Sequence, residues 1–269
     1  HGQARGATRL VGPCQFDAIL DHHRAAAAAD RRAIEPLLDE ARSMPATRGF
    51  RSSLAASSGL AVIAEVKRRS PSKGDLAVDL DPAELARTYE AGGATCLSVL
   101  TDVDHFGGSV ADLQAAQAAC ALPVIRKDFT VSPLDVVDAR LMGADGVLLI
   151  AAALEPAELA DFHRLAVELG LDVLVEIHDE RELEHALAAE ATLVGVNQRD
   201  LVTFQVDHER AVRMAGVIPD DAVKVAESGV RGGDDARMLA DAGYDAVLVG
   251  ETLVTSADPA ASIGDLIGA

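Results

Sequence analysis

The chain has 269 residues, 49% of them apolar but only 3% aromatic, with no tryptophan, so a large core must be built from Ala, Val, Leu and Ile. A formal charge of −19 and a pI of about 4.7 disfavour polyanionic partners, and neither nucleic acid nor an anionic membrane surface is expected. No apolar run approaches the ~20 residues of a membrane-spanning helix, and Cys14, Cys96 and Cys120 form no CxxC pair, which points to a reducing, cytoplasmic location without disulfides.

The first ten residues carry no secretory-signal pattern and are expected to be disordered. Phe16 to about Arg32, with the helix-favouring run Ala25 to Ala29, and residues 33–42 read as two helices. A loop begins at Ser43. Residues 1–60 thus form a helical extension within the same domain, and 61–269 form the main body.

From residue 61 the pattern changes. Compact apolar runs occur at 61–66, 95–101, 123–128, 146–151, 172–177, 193–197, 224–228 and 246–250. Such runs suit parallel strands buried on both faces. Helix signals separate them: Asp81-Pro82, Ser132-Pro133 and Glu155-Pro156 place proline in a first turn, and Gly92, Gly143, Gly170 and Gly243 stand at helix ends. Eight strand–helix units predict an α/β fold, a (β/α)8 TIM barrel. An open doubly wound sheet would place GxGxxG after the first strand, and none occurs there.

Lysine is scarce: four against twenty arginines. Lys67, Lys73, Lys127 and Lys224 all lie at or beside strand ends, where arginine was not used. An ammonium is a compact charge that burial can tune, and arginine cannot readily give up its proton. Barrel chemistry sits at the C-terminal strand ends. Those ends carry Glu65 and Lys67, Thr101 and Asp102, Lys127 and Asp128, Glu176, Asn197 and Arg199, Glu227 and Ser228, and Gly250 and Glu251. A ring of two lysines and three glutamates would compensate its own charge and spread its pKa values, as acid–base chemistry requires. Ser228-Gly229 and Gly250-Glu251 follow the seventh and eighth strands, where barrels commonly hold phosphate on backbone N–H groups. Lys67 and Ser70 in KRRSPSKG could add a cation and a hydroxyl to that anion. No metal-ligand spacing occurs among Cys, His and Asp. Most of the eight histidines read as surface groups, His178 and His185 on the fifth helix; His105, near the mouth, stays open. Asp102 and Asp104 read as cap or loop residues.

At these residues the chain resembles the indole-3-glycerol phosphate synthase family. The resemblance spans residues 14–269 and rests on IAEVKRRSPSKG, LSVLTD followed by FGGS, PVIRKDF, ADGVLLIAA, LVEIHDE, VGVNQRDL, VAESGV and VLVGE, in order. It implies a (β/α)8 barrel that cyclises 1-(2-carboxyphenylamino)-1-deoxyribulose 5-phosphate, with loss of CO2 and water, and uses no cofactor and no metal. By the same resemblance Lys127 would be the general acid, Lys67 would pair with the substrate carboxylate, Glu176 would serve as base or proton shuttle, and Glu65 would position the lysines. Asn197, Arg199, Glu227 and Ser228 would orient the substrate. Phe106 and Phe129 would line the aromatic pocket, and Lys67, Ser70, Gly229, Gly250 and Glu251 would hold the phosphate. Gly107 and His105 depart from the family pattern, which often has Asn and an aromatic there. The expected partner is a phosphorylated small molecule, and the expected state a monomer or weak homo-oligomer. An aldose–ketose isomerase, a Schiff-base aldolase and an inactive binding barrel are the alternatives. The isomerase would want a cysteine where Glu65 and Lys67 stand. The aldolase would form a lysine imine, and the inactive barrel would have an eroded ring of charges.

Overall fold

The computed structural model describes residues 15–203 and 205–268. The expectation of a disordered start falls on residues outside that range. Eight strands close into a parallel barrel: β1 (Ala61–Val66), β2 (Cys96–Leu100), β3 (Val124–Lys127), β4 (Gly146–Ile150), β5 (Asp172–Ile177), β6 (Leu193–Asn197), β7 (Val223–Glu227) and β8 (Ala246–Val249). Each lies within two residues of its apolar run. The barrel closes where β1 pairs with β8, Ala61 opposite Ala246 and Ala64 opposite Val249.

The helices start as their sequence signals require. Asp81 accepts the N–H groups of Ala83 and Glu84 at the start of Pro82–Ala91. Ser132 accepts that of Asp135 at the start of Pro133–Leu141. Glu155 and Glu158 form a reciprocal capping box on Pro156–Glu168. Gly143, Gly170 and Gly243 take the left-handed backbone expected just past a helix end. At the first barrel helix that conformation belongs to Gly93, while Gly92 remains right-handed.

The N-terminal extension runs along the barrel from top to bottom. Helix α1 (Gln15–Ala29) lies across the C-terminal mouth, where Arg24 forks onto Glu158 at 2.7 and 2.8 Å. Helix α2 (Ile34–Ser43) descends beside Pro133–Leu141, and Arg32 just before it reaches Asp138 at 2.8 Å. Beyond Ser43, where a loop was expected, a third helix α3 (Phe50–Ala55) closes the N-terminal end. Phe50 and Leu54 are buried there, the Phe50 carbonyl accepts Cys96 Sγ at 3.7 Å, and Arg51 N donates to Asp172 at 2.8 Å. Six residues are too few for periodicity to reveal a helix, so α3 depends on the barrel floor it covers. Among the described residues no helix is long and apolar enough to cross a membrane.

Candidate active site

A cavity of about 600 Å³ opens at the C-terminal face, within the size range of small-molecule sites. Every residue named above for the site lines it: Glu65, Lys67 and Ser70; Phe106, Lys127 and Phe129; Glu176, Asn197, Arg199, Glu227 and Ser228; Gly229, Gly250 and Glu251. Strand alternation explains the convergence. Glu65, Lys127, Glu176 and Glu227 are each at or next to the last residue of their strands and point inward, where the eight ends meet.

The charges form two close groups at the mouth. Lys67 Nζ lies 2.8 Å from Glu65 Oε1, and Ser98 Oγ donates to Glu65 Oε2 at 3.2 Å. Lys127 Nζ stands 3.3 Å from Glu227 Oε2 and 3.7 Å from Glu176 Oε2. Asn197 Nδ2 donates to Glu176 Oε1 at 3.0 Å, and its own Oδ1 accepts Arg199 N–H at 3.0 Å.

The three buried carboxyls do not share one fate. Burial opposes the charge of Glu65, but Lys67 and Lys127 outweigh it and hold its pKa below the usual range. Burial likewise opposes the charge of Glu176, which Lys127, His178 and Asn197 keep ionised. Glu227 goes the other way: burial and the neighbouring Glu176 charge push it up to about 8. Lys127 is raised above its ordinary value, since Glu227, Glu176 and Glu65 overcome the desolvation that would discharge it. Lys127 therefore keeps its charge between one carboxyl held ionised and one held protonated. This division resolves what a buried charge cluster must resolve, because unpaired charge in such a place is costly.

The raised Glu227 has a consequence for stability. Its folded-state proton is retained to about pH 8, whereas an unfolded glutamate loses its proton near 4.3. Between those values the folded chain binds one more proton than the unfolded chain, so this group makes stability fall as pH rises. Glu227→Gln cannot titrate. Its melting temperature relative to wild type is expected to rise steadily from pH 5 to pH 8, an advantage on the order of a few kcal/mol at the upper end. Parallel melting curves for the two proteins across that range would refute the assignment.

A second set of atoms adjoins this ring at the β1, β7 and β8 ends. Ser228 and Gly229 both take positive φ, 69° and 73°. That is costly for serine and natural for glycine, and it marks a functional turn. A Cβ on Gly229 would meet Val206 Cγ1 at 2.4 Å, and one on Gly250 would meet Glu65 Oε1 at 2.5 Å and Lys67 Nζ at 2.9 Å. Bare backbone is thus required on both loops. His208 Nδ1 and Gln198 Oε1 lie 2.8 Å apart, and Gln198 Nε2 donates to the Ser228 carbonyl at 2.9 Å, which fixes the turn. Thr252 Oγ1 ties the β8 loop to the Val230 carbonyl at 2.8 Å. Ser70 is buried beside them. Lys73 reaches Glu251 at 3.5 Å.

The structure corrects several sequence-level assignments. Lys224 lies at the opposite, N-terminal end of the barrel, where its Nζ donates to the Ala215 carbonyl and Asp220, both at 3.1 Å; it is structural. His178 is neither on a helix nor at the surface. It is buried at the end of β5, its Nδ1 3.0 Å from Glu182 and its Nε2 3.8 Å from Glu176 Oε1. Its place two residues after Glu176, on the same side of a period-two strand, was the signal that could have found it. Gln15, Phe16 and Ile19 of α1 also line the cavity, and Phe16 packs on Phe129 with ring centres 6.2 Å apart. Gly195, inside VGVNQRDL but assigned no role there, is pressed against the ring: a Cβ on it would lie 2.1 Å from Glu227 Oε1. Asp102 does hold a loop, its Oδ1 accepting the N–H groups of His105 at 2.6 Å and Phe106 at 3.1 Å. Gly107 has φ of 65°, a conformation that asparagine also tolerates, which accounts for that departure from the family pattern.

Comparison with known proteins gives the family and the fold. Solved structures share the fold at low identity: the thiamine phosphate pyrophosphorylase of Pyrococcus furiosus aligns with a TM-score of 0.59 at 16% identity, covering 77% of this chain and 93% of that one. An indole-3-glycerol phosphate synthase of Mycolicibacterium vanbaalenii is 49% identical over 256 residues, 94% of each chain. Indole-3-glycerol phosphate synthase 2 of Streptomyces coelicolor is 51% identical over 232 residues, 86% of this chain and 90% of that one. The family model for indole-3-glycerol phosphate synthase matches residues 16–266, and the chain belongs to that family, enzymes of the carboxy-lyase class in tryptophan biosynthesis.

Proposed function

We propose that this chain cyclises 1-(2-carboxyphenylamino)-1-deoxyribulose 5-phosphate to indole-3-glycerol phosphate, CO2 and water. The observation that carries this reading is the protonated, buried Lys127 held between Glu176 and Glu227, across the cavity from the glycine-lined turns after β7 and β8. A substrate phosphate would lie on the backbone N–H groups around Gly229, Gly250 and Glu251, with Ser70 and Lys67 beside it. Its aromatic ring would rest against the paired Phe106 and Phe129, whose ring centres are 6.3 Å apart, and its carboxylate would pair with Lys67.

Ring closure joins the carboxylate-bearing ring carbon to the ribulose carbonyl carbon. The carbonyl oxygen gains charge, and the Lys127 ammonium donates a proton to it. CO2 then departs, and its bonding pair restores the aromatic ring. In the last stage the hydroxyl leaves as water with a proton from an acid, while Glu176, kept ionised by its neighbours, removes the remaining proton. Glu227, which retains its proton to about pH 8, can donate a hydrogen bond to a substrate oxygen. Asn197 and Arg199 complete that wall.

The same charges separate this reading from a lysine imine mechanism. An imine needs a neutral amine, and Lys127 is held in its ammonium form. Incubation with the carboxyphenylamino-deoxyribulose phosphate should produce indole fluorescence. Borohydride added during turnover should leave the protein mass unchanged. Absence of fluorescence, or a reduced substrate adduct on Lys127, would overturn the proposal.

The substrate is then a phosphorylated small molecule, and the acidic surface leaves nucleic acid and anionic membranes disfavoured. A monomer or weak homo-oligomer accords with a site built wholly from one chain.

A further inference from the structure

Outside this ring, three of the chain's histidines converge where α1 crosses the mouth. His23 of α1 and His105 of the β2 loop stand on one carboxylate oxygen: Asp102 Oδ2 is 2.7 Å from His23 Nε2 and 3.0 Å from His105 Nδ1. The other oxygen, Oδ1, is taken by two backbone N–H groups, so the carboxylate cannot rotate away from the imidazoles. The three ligand atoms lie within 4.8 Å of one another. His22 is next to them, its ring centre 5.4 Å from that of His105 and its Nε2 3.0 Å from Asp104. Asp128 Oδ1 is 3.9 Å from His23 Nε2.

The geometry points to a metal site: His23 Nε2, His105 Nδ1 and Asp102 Oδ2 bind one divalent transition-metal ion of the zinc, nickel or copper class, which clasps α1 to the β2 loop. Ligand bonds of about 2.0–2.2 Å in tetrahedral array separate neighbouring donor atoms by about 3.3 Å, so each imidazole nitrogen draws back from the carboxylate oxygen by about half an ångström and the two rings turn to bring their nitrogens, now within 4.8 Å of the other donors, onto one ion. Two nitrogens with one carboxylate suit these metals, whereas calcium and magnesium prefer all-oxygen sites. Asp102 is almost wholly buried while His23 and His105 are about a fifth to a quarter exposed, so one side stays open to an entering ion and a fourth ligand. The adjacent His22 and Asp128, or water, can supply that ligand. The ion would not touch the reacting groups. It would fasten α1, whose Gln15, Phe16 and Ile19 line the cavity, against the loop that carries Phe106.

The sequence spacing gave no sign of this, because the ligands lie 79 residues apart and only the docking of α1 joins them. The test uses the whole chain, stripped with EDTA and dialysed against micromolar zinc sulfate, with bound metal measured by mass spectrometry. The expected result is one zinc per chain and a higher melting temperature than in EDTA, since a ligand of the folded state alone stabilises it. His105→Phe keeps a ring in the cluster and should bind at least tenfold more weakly, with its melting temperature unmoved by zinc. His23→Gln should behave in the same way. Copper EPR on the wild type should show two coupled nitrogens, and His105→Phe should show one fewer. No stoichiometric binding by the wild type, or binding and spectra unchanged in folded His105→Phe, would overturn the site and leave the cluster a hydrogen-bonded clasp.

Discussion

Lys127→Ala is expected to lower kcat by about 10³-fold while substrate affinity stays within about tenfold. Lys127 Nζ is the only cation within 4 Å of both Glu176 and Glu227 among the described residues, so its loss removes the one ammonium aimed at an oxygen placed between those two carboxyls. Its interaction with the carbonyl strengthens as charge develops, so kcat and kcat/KM should fall together. The protein should still fold, because Glu176 and Glu227 can share a proton in place of the lost ammonium. Lys127→Arg should not rescue, since guanidinium is a poor proton donor and too broad for the space. Turnover measured by indole fluorescence, with affinity measured on the non-reacting product, separates the two parameters. A Lys127→Ala enzyme with half its wild-type kcat would remove the general-acid assignment.

Glu176→Gln is expected to cost about 10²-fold in the dehydration stage and much less in ring closure. The carboxylate is kept ionised by Lys127, His178 and Asn197. A depressed carboxyl loses its charge only as pH falls through that lowered pKa, so with dehydration limiting the rate wild-type kcat should decline on the acidic side, below the ordinary glutamate range, and the variant should lack that limb. Rapid mixing should show a fast first phase and a slow second one, with a decarboxylated intermediate building up between them. Wild-type rates in both phases would exclude a catalytic role for this carboxylate. Above pH 8 a separate decline is expected from the proton shared by Glu176 and Glu227, because Lys127 is held protonated far beyond that range.

Much of this was legible along the chain because the barrel is a local code repeated eight times. Each strand is a short apolar run, and each inward-facing site residue sits where its own run ends. That is why Glu65, Lys67, Lys127, Glu176 and Glu227 could be named before their neighbours were known. The same reasoning leaves Lys224 outside the site, since it opens the run at 224–228 and lies at the start of β7, away from the mouth. It also passed over His178, although the strand alternation that placed Glu176 applied to it as well.

By itself, then, the sequence determined the architecture, the identity of the charged ring and the glycine turns beside it, because these depend on period, run length and backbone freedom within a few residues. Only the tertiary structure decided how the ring divides its charge. The pKa of Glu227 depends on the depth of burial and on Glu176 fifty-one positions away, and the electrostatics of buried groups is set by distance in space. The placement of α1 over the mouth, with Phe16 against Phe129 and His23 on Asp102, was decided at the same level. So was the closeness of Gly195 to Glu227, since a glycine inside a strand looks ordinary until the atom it must not touch comes to rest against it.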